Sequence, residues 1–244
     1  MEIIKFTLEG QFALFKVPNI NLNYLTFSHI PKPTLLGLLG AINGYRGYRD
    51  TDSEEVIPEY LTKFKDLEVG IVPKRFNFIK SFYKFNNSSG CATNTNKVAN
   101  LISSFQVLEN VSWDIYIKDN GTESYKVLKE NLLNGLSTFI PYLGNNSFAA
   151  NIKSVEVLDS EEVKETSLKC NSLVETVSIE DNEMDLLDKL MQDTKEYKFN
   201  LPKDMDENLM YAYSNFTLTN GVINIKEIYR NKFLNIDDKV VYFY

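Results

Sequence analysis

Apolar and polar positions alternate over residues 2–9, which puts Ile4, Phe6 and Leu8 on one face and predicts a half-buried strand. Residues 11–32 read as a long loop with short strands, punctuated by Pro18 and Pro31 and followed by Pro33. Residues 34–42, Thr-Leu-Leu-Gly-Leu-Leu-Gly-Ala-Ile, have the apolar density of a buried helix, with Pro33 and Thr34 at its start as N1 and N-cap preferences expect. Ser53 can cap a second, amphipathic segment carrying Val56, Tyr60, Leu61 and Phe64. Residues 67–72 then read as a strand closed by Pro73. Further on, 111–118 is a strand with Trp113, Ile115 and Ile117 on one face. Tyr125, Leu128, Leu132 and Leu136 carry helical periodicity over 122–136, and 151–158 is a strand again.

Between the second and third of these strands, residues 74–104 differ in character. The first half interleaves cations with aromatics; the second, 86–100, is polar and turn-like around Ser88-Ser89-Gly90. Setting aside this insertion and the short helix, the order is β-α-β-β-α-β, the ferredoxin-like arrangement of an α+β fold. After it come a strand near 173–179, an acidic helix near 183–191, a hairpin turned at Asn220-Gly221 and a terminal strand over 239–244. The expected organisation is a core over 1–158 with its insertion at 74–104, and a β-rich extension over 159–244 packed on that core.

Composition narrows the class. The 244 residues are 43% apolar, enough to bury a real core, and two cysteines rule out a disulfide scaffold. The longest apolar run, residues 35–42, is far short of the ~20 residues of a membrane span. No basic leader with an apolar stretch opens the chain, so a cytoplasmic protein is expected.

The formal net charge of −7 conceals an uneven distribution. Residues 10–49 contain no acid and carry Lys16, Lys32, Arg46 and Arg49; residues 69–108 contain no acid and carry Lys74, Arg75, Lys80, Lys84 and Lys97. These windows total +9, and the other 164 residues total −16. Carboxylates are excluded where a polyanion approaches, because each would repel a phosphate. Two partly buried segments with little surface would show the same gap.

Several motifs carry candidate chemistry. Gly37, Gly40, Gly44 and Gly47 fit neither a Walker loop nor a dinucleotide fingerprint. Close packing of the buried helix on the sheet explains the first two; alternatively Lys32 and Thr34, with free N–H groups at the helix N-terminus, would form an anion site. Tyr45, Arg46, Tyr48 and Arg49 add stacking faces and phosphate partners. The run over 74–85, with Lys74, Arg75, Lys80, Tyr83 and Lys84, supplies both charge for phosphates and flat faces for bases, as single-stranded nucleic acid requires. An aromatic hairpin with core phenylalanines and solvated lysines would look similar. His29 is the sole histidine; with Tyr24 and Lys32 nearby it is the one candidate for metal-free RNA cleavage, and a lone loop histidine more often stacks or hydrogen-bonds. Cys91, Cys170 and His29 are too scattered for zinc, and no cofactor is expected.

Taken together, the opening strand, Gly10-Gln-Phe-Ala-Leu-Phe-Lys, Tyr24-Leu-Thr-Phe and Pro31-Lys-Pro-Thr-Leu-Leu-Gly-Leu-Leu-Gly-Ala-Ile resemble the N-terminal signature of CRISPR-associated (Cas) family five. A second segment, Pro141-Tyr-Leu-Gly-Asn-Asn-Ser-Phe-Ala-Ala-Asn-Ile, is similar to that family's Leu-Gly-x-Ser-x-Phe-x-Ala stretch. The details look most like its type I-B branch. This resemblance implies a RAMP-superfamily subunit of type I Cascade, with a ferredoxin-like (RRM-like) core and an inserted thumb hairpin at 74–104. It implies a cap on the 5′ handle of the crRNA, contacts to the backbone subunit and the large subunit, and engagement of target DNA through the complex. The handle site would involve residues 24–34, including Tyr24, Thr26 and His29, and residues 45–49. One branch, in type I-C, cuts precursor crRNA with a Tyr-Lys-His group whose histidine follows the thumb. No histidine follows position 29 here, so RNA binding without cleavage is expected. A metal-independent endoribonuclease resting on His29, and a domain binding only a small ligand or protein, are the competing functions.

Overall fold

The computed structural model describes residues 1–18, 23–48, 57–88, 100–180 and 193–244. Strand β1 (Glu2–Ala13) lies between β5 (Asn100–Lys118) and β6 (Asn151–Asp159), and β3 (Val69–Pro73) pairs with the far edge of β5, all antiparallel. The core order is therefore fourth-first-third-second, that of a ferredoxin-like sheet. Its register explains the alternation in the sequence. Ile4 pairs with Ile117, Phe6 with Ile115 and Leu8 with Trp113, while Val69 and Ile71 continue the first two rows. These side chains are fully buried on one face.

Two helices cover that face. Helix α1 (Lys32–Asn43) buries Leu35, Leu36, Leu38, Leu39 and Ile42. Helix α3 (Glu123–Leu133) buries Tyr125, Leu128 and Leu132, and its N-cap Thr122 Oγ1 accepts from the Tyr125 N–H at 3.3 Å. Leu136 lies beyond the end of α3 and is exposed. Helix α1 starts two residues earlier than Thr34, with Pro31 as N-cap, because prolines at 31 and 33 suit a first turn that has no use for their missing N–H groups. Thr34 therefore lies within the first turn rather than at the cap. Between α1 and β3, helix α2 (Glu59–Lys63) is shorter than its apolar pattern suggested; Ser53 and Val56 lie outside the described residues. A Cβ on Gly40 would sit 2.5 Å from Tyr60 Cβ, so the glycine lets α1 pack on α2, not on the sheet as the sequence suggested.

The opposite sheet face is closed by the chain's own C-terminal strands. Strands β13 (Phe233–Ile236) and β14 (Lys239–Tyr242) form a hairpin whose Leu234, Ile236 and Val241, together with Phe243, bury Ile3, Val72 and Tyr116. The last residue completes the attachment: the Tyr244 N–H donates to the Val69 carbonyl and the Val69 N–H to the Tyr244 oxygen, both at 3.1 Å. An RRM stacks bases on that sheet surface. In this chain it is filled, so any base-binding surface lies elsewhere.

The rest of the extension holds the β10 (Glu196–Met205)–β11 (Tyr211–Thr219) hairpin, two-residue β9 (Val174–Glu175), and β12 (Val222–Asn224) paired with β8 (Ser167–Lys169). Asn220-Gly221 does not close a hairpin. Both edges of β11 are occupied, by β10 and by β9, so the turn sends the chain to β8 instead. The strand expected near 173–179 ends after Glu175 in a 3-10 turn (Thr176–Ser178), and the acidic helix expected at 183–191 lies outside the described residues.

Candidate nucleic-acid interface

Strand β5 runs 19 residues, eleven more than the apolar alternation revealed. Its first half leaves the core and pairs with β4 (Ile79–Ser88) in a ladder from Ile79–Glu109 to Ser88–Asn100. The expected insertion is thus a hairpin continuous with the third core strand. Short β2 (Asn23–Tyr24) joins its other edge in parallel. Register puts Tyr83, Phe105 and Tyr24 in one row across three strands, on one face.

That face is aromatic. Tyr24 stacks on Phe105 (centroids 4.8 Å apart, planes at 16°), and Phe85 meets Phe105 edge-on at 5.2 Å. Tyr83 meets Phe12 at 5.4 Å, and Phe12 meets Phe148 at 5.7 Å. Lys16 Nζ lies 4.3 Å above the Tyr24 ring. Both faces of Tyr24 are thereby occupied, which makes it a support for Phe105 and not an open stacking platform. Tyr83 (38% exposed) and Phe85 (51%) are the most exposed rings of this face. The other face of β4 carries Lys80, Phe82 and Lys84, with Phe82 57% exposed. Lys80 Nζ donates to the Thr26 carbonyl at 3.3 Å, and partial burial lowers its pKa. Thr26 is buried: its Oγ1 accepts from the Phe15 N–H and donates to the Phe27 carbonyl, and its N–H donates to Gln106 Oε1. Its function is to pin the loop to the hairpin base, so it is a positioning residue and not a contact.

A groove of about 820 Å³ runs along α1. Thr34 and Tyr45 line it with Tyr48, Tyr60, Tyr142 and Tyr211. Arg46 stands nearby, its Nε 3.5 Å from Glu59 and its N–H donating to the same carboxylate. Lys32 turns away from the groove: Nζ donates to the Tyr244 oxygen at 2.7 Å. Burial depresses its ammonium to about 8 despite the attraction of Asp204 and Glu68. An anion site built on Lys32 at the helix N-terminus is therefore not what this lysine forms; it fastens the C-terminal strand.

The loop after Pro141 joins groove and hairpin. Leu14 N–H donates to the Leu143 carbonyl and Leu143 N–H to the Phe148 carbonyl. Gly144 holds φ +78°, and a Cβ there would drive into the Leu14 carbonyl oxygen. A Cβ on Gly10 would lie 2.5 Å from Leu143 Cδ1 and 3.1 Å from the Ala149 oxygen. The two motifs of the sequence, more than a hundred residues apart, are thus one packed unit. Gly144→Ala is expected to lower stability by about 2–4 kcal/mol, combining left-handed backbone strain with overpacking against fixed backbone. Chemical denaturation with an unchanged m-value would measure it.

His29 is the clearest departure from the sequence reading. It is fully buried among Trp113, Phe78 and Phe199, accepts from Trp113 Nε1 at 3.4 Å, and among the described residues has no hydrogen-bond partner at Nε2. Burial lowers its pKa to about 3, the Phe76 main chain offsetting a part, so it is neutral at physiological pH. Neither RNA contact nor general acid–base chemistry is available to it there. His29→Phe should leave RNA affinity unchanged while lowering the melting temperature, because the buried Trp113 Nε1–H loses its acceptor. A fall in affinity at constant stability would contradict the placement.

Lys74 and Arg75 are also drawn away from the aromatic face. Lys74 Nζ donates to buried Asp114 at 2.6 Å, and Arg75 lines a cleft against the C-terminal extension. Arg49 lies outside the described residues. Of the residues singled out in the sequence, the structure gathers Tyr24, Thr26, Lys80, Tyr83 and Lys84 at the hairpin and Thr34 and Tyr45 in the groove. Lys16, Phe12, Phe105 and Phe148 join the first group without having been singled out. Lys16, Phe12 and Phe105 lie inside the acid-free windows, and Phe12, Lys16 and Phe148 also fall in the two segments that carry the family resemblance.

The features define a class: a ferredoxin-like α+β chain whose sheet surface is closed and whose exposed aromatics and cations stand on a hairpin grown from the third strand. No family model matches the sequence, and no curated protein does. Solved structures share the fold. One is a chain of a "CRISPR RNA-guided surveillance complex", with a TM-score of 0.57 and 14% identity over 91% of each chain. Another is a CRISPR protein from Archaeoglobus fulgidus, with a TM-score of 0.50 and 9% identity over 99% of this chain and 98% of that one.

Proposed function

We propose that this chain is a non-catalytic crRNA-binding subunit of a type I CRISPR Cascade complex, of the RAMP superfamily and Cas family five, type I-B branch, capping the 5′ handle of the crRNA. The carrying observation is the projecting aromatic and cationic hairpin, on a fold shared over 91% of both chains with a member of an RNA-guided surveillance complex. Tyr83 and Phe85 offer stacking faces, Phe82 a third on the reverse side, and Lys80, Lys84 and Lys16 offer charge for the sugar–phosphate backbone. The groove along α1, reached through the Pro141 loop, extends the path toward Tyr45 and Arg46. The exposed apolar stretch Leu133, Leu136, Phe139, Ile140 and Tyr142 suits burial against the backbone or large subunit, and target DNA is engaged through the assembly. The net charge of −8 after residue 150 suits a side turned from the RNA.

Binding without cutting rests on the burial and neutrality of the sole histidine. Repeat-derived RNA incubated with the chain in excess EDTA should be retained and remain intact. Cleavage that His29→Ala abolishes would overturn the non-catalytic reading in favour of a metal-independent endoribonuclease.

A further inference from the structure

The cleft beside Lys74 and Arg75 has chemistry of its own, and the inference from it does not rest on the hairpin as an RNA surface. It is a cavity of about 350 Å³ at the seam between the β3–β4 connection and the C-terminal extension, at the lower end of small-ligand sites. Four cations line it, Lys74, Arg75, Lys169 and Lys239, and no carboxylate among the described residues does. The nearest acid in this network, Asp114, is buried and receives both Lys74 (2.6 Å) and Lys239 (3.1 Å). One carboxylate against two ammoniums leaves a surplus. Among the described residues Arg75 and Lys169 have no carboxylate partner, and both are exposed. Asn171 adds N–H donors only, since its Oδ1 is taken by the Val240 N–H. Thr219 and Asn220 add polar lining, and the apolar part of the wall is Phe76, itself packed 5.6 Å from Tyr197, with Val72 and Leu218.

We propose that this seam pocket is a second phosphate-binding site, taking the phosphate of a nucleotide on Arg75 and Lys169 with the nucleoside against Phe76. Concentrated positive charge beside an aromatic wall is what a nucleotide phosphate requires, and a bidentate guanidinium suits it better than a carboxylate-free lysine patch alone. The nucleotide is either free or part of a strand, and the two sources are separable.

The intact chain would be titrated with AMP, adenosine and inorganic phosphate by calorimetry. AMP should bind at least tenfold more tightly than adenosine. Arg75→Ala/Lys169→Ala should weaken AMP at least tenfold while the melting temperature holds, because neither residue belongs to the Asp114 network. AMP that binds no better than adenosine, or equally to wild type and the double variant, would overturn the proposal. Displacement of AMP by a single-stranded oligonucleotide would assign the pocket to a strand, and persistence of AMP against it would assign it to a free nucleotide. Tyr83→Ala/Phe85→Ala reports on the hairpin separately: loss of RNA binding there, with AMP unaffected, distinguishes failure of either site from failure of both.

Discussion

Replacing Tyr83 and Phe85 together by alanine is expected to weaken single-stranded RNA binding at least about thirtyfold. Base–aromatic stacking contributes ~1–3 kcal/mol per ring, so two solvent-facing rings lose ~2 kcal/mol at the low end. Both are exposed and meet Phe12 and Phe105 edge-on, so their removal trims partly exposed contacts and opens no enclosed cavity. Tyr24→Ala should act differently. Its ring is held between Phe105 and Lys16, and its loss would loosen the hairpin base without removing a stacking face. Fluorescence anisotropy at several salt concentrations separates charge from stacking. If Lys16, Lys80 and Lys84 each neutralise a phosphate, the affinity of the wild type should fall by about twentyfold between 50 and 200 mM salt, from a slope of about −0.7 per contact. The double aromatic variant should keep that slope while losing affinity.

The second large effect concerns Asp114, which ties the sheet to its own cover. It is fully buried on the face that β13 and β14 close, accepts from Thr7 Oγ1 at 2.8 Å, and holds Lys74 of the core and Lys239 of the extension. Asp114→Ala would leave two ammoniums facing each other over the sheet without a counter-charge. Breaking a buried pair costs ~3–5 kcal/mol; the lysines keep roughly two-fifths of their exposure, which trims the loss to ~2–4 kcal/mol. For a chain of this size that lowers the melting temperature by about 5–15 °C. Acid should reveal the same residue. Burial by itself raises the carboxyl, but hydrogen bonds from Lys74, Thr7 and Lys239 outweigh it and hold the group below its ordinary value. A carboxyl depressed in the folded state contributes stability that is present in full above the unfolded value and is lost as pH falls through the folded one. The wild type should therefore lose stability more steeply below about pH 4 than Asp114→Asn, by denaturant titration at stepped pH.

The core of the fold was legible because its periods are plain. Ile4-Phe6-Leu8 and Trp113-Ile115-Ile117 alternate strictly, and the α1 segment is too densely apolar to be anything but buried. The continuation of β5 was not legible. Residues 102–110 are pleated by pairing with β4 and β2, and residues 102–106 are partly or fully exposed on both faces before Val107 and Leu108 enter the core, so no burial period marks them. Asn220-Gly221 misled for a related reason: a turn dipeptide encodes a reversal, and only the occupied edges of β11 decide whether the next strand can pair there.

The candidate site was half visible. The acid-free stretches 10–49 and 69–108 contain the segments that form the hairpin and its aromatic face, because electrostatic exclusion acts on a whole surface. Which cations remain on that surface was decided by acids outside the windows or by the end of the chain. Asp114 captures Lys74, Glu59 pairs with Arg46, and the Tyr244 oxygen captures Lys32. His29 read as a loop residue because its neighbours Ser28 and Ile30 carry no burial signature; Phe199 of the distant extension closes over it.

The claim that ties these observations together is that the chain holds a guide RNA by its hairpin within a larger assembly. Affinity purification of the tagged chain from its native host, followed by sequencing of the small RNA that accompanies it, tests that claim most directly. The account predicts co-purifying partner subunits and RNA of uniform 5′ end derived from a CRISPR repeat, both lost or strongly reduced with Tyr83→Ala/Phe85→Ala. A chain recovered alone, or with RNA of random sequence in wild type and variant alike, would contradict it.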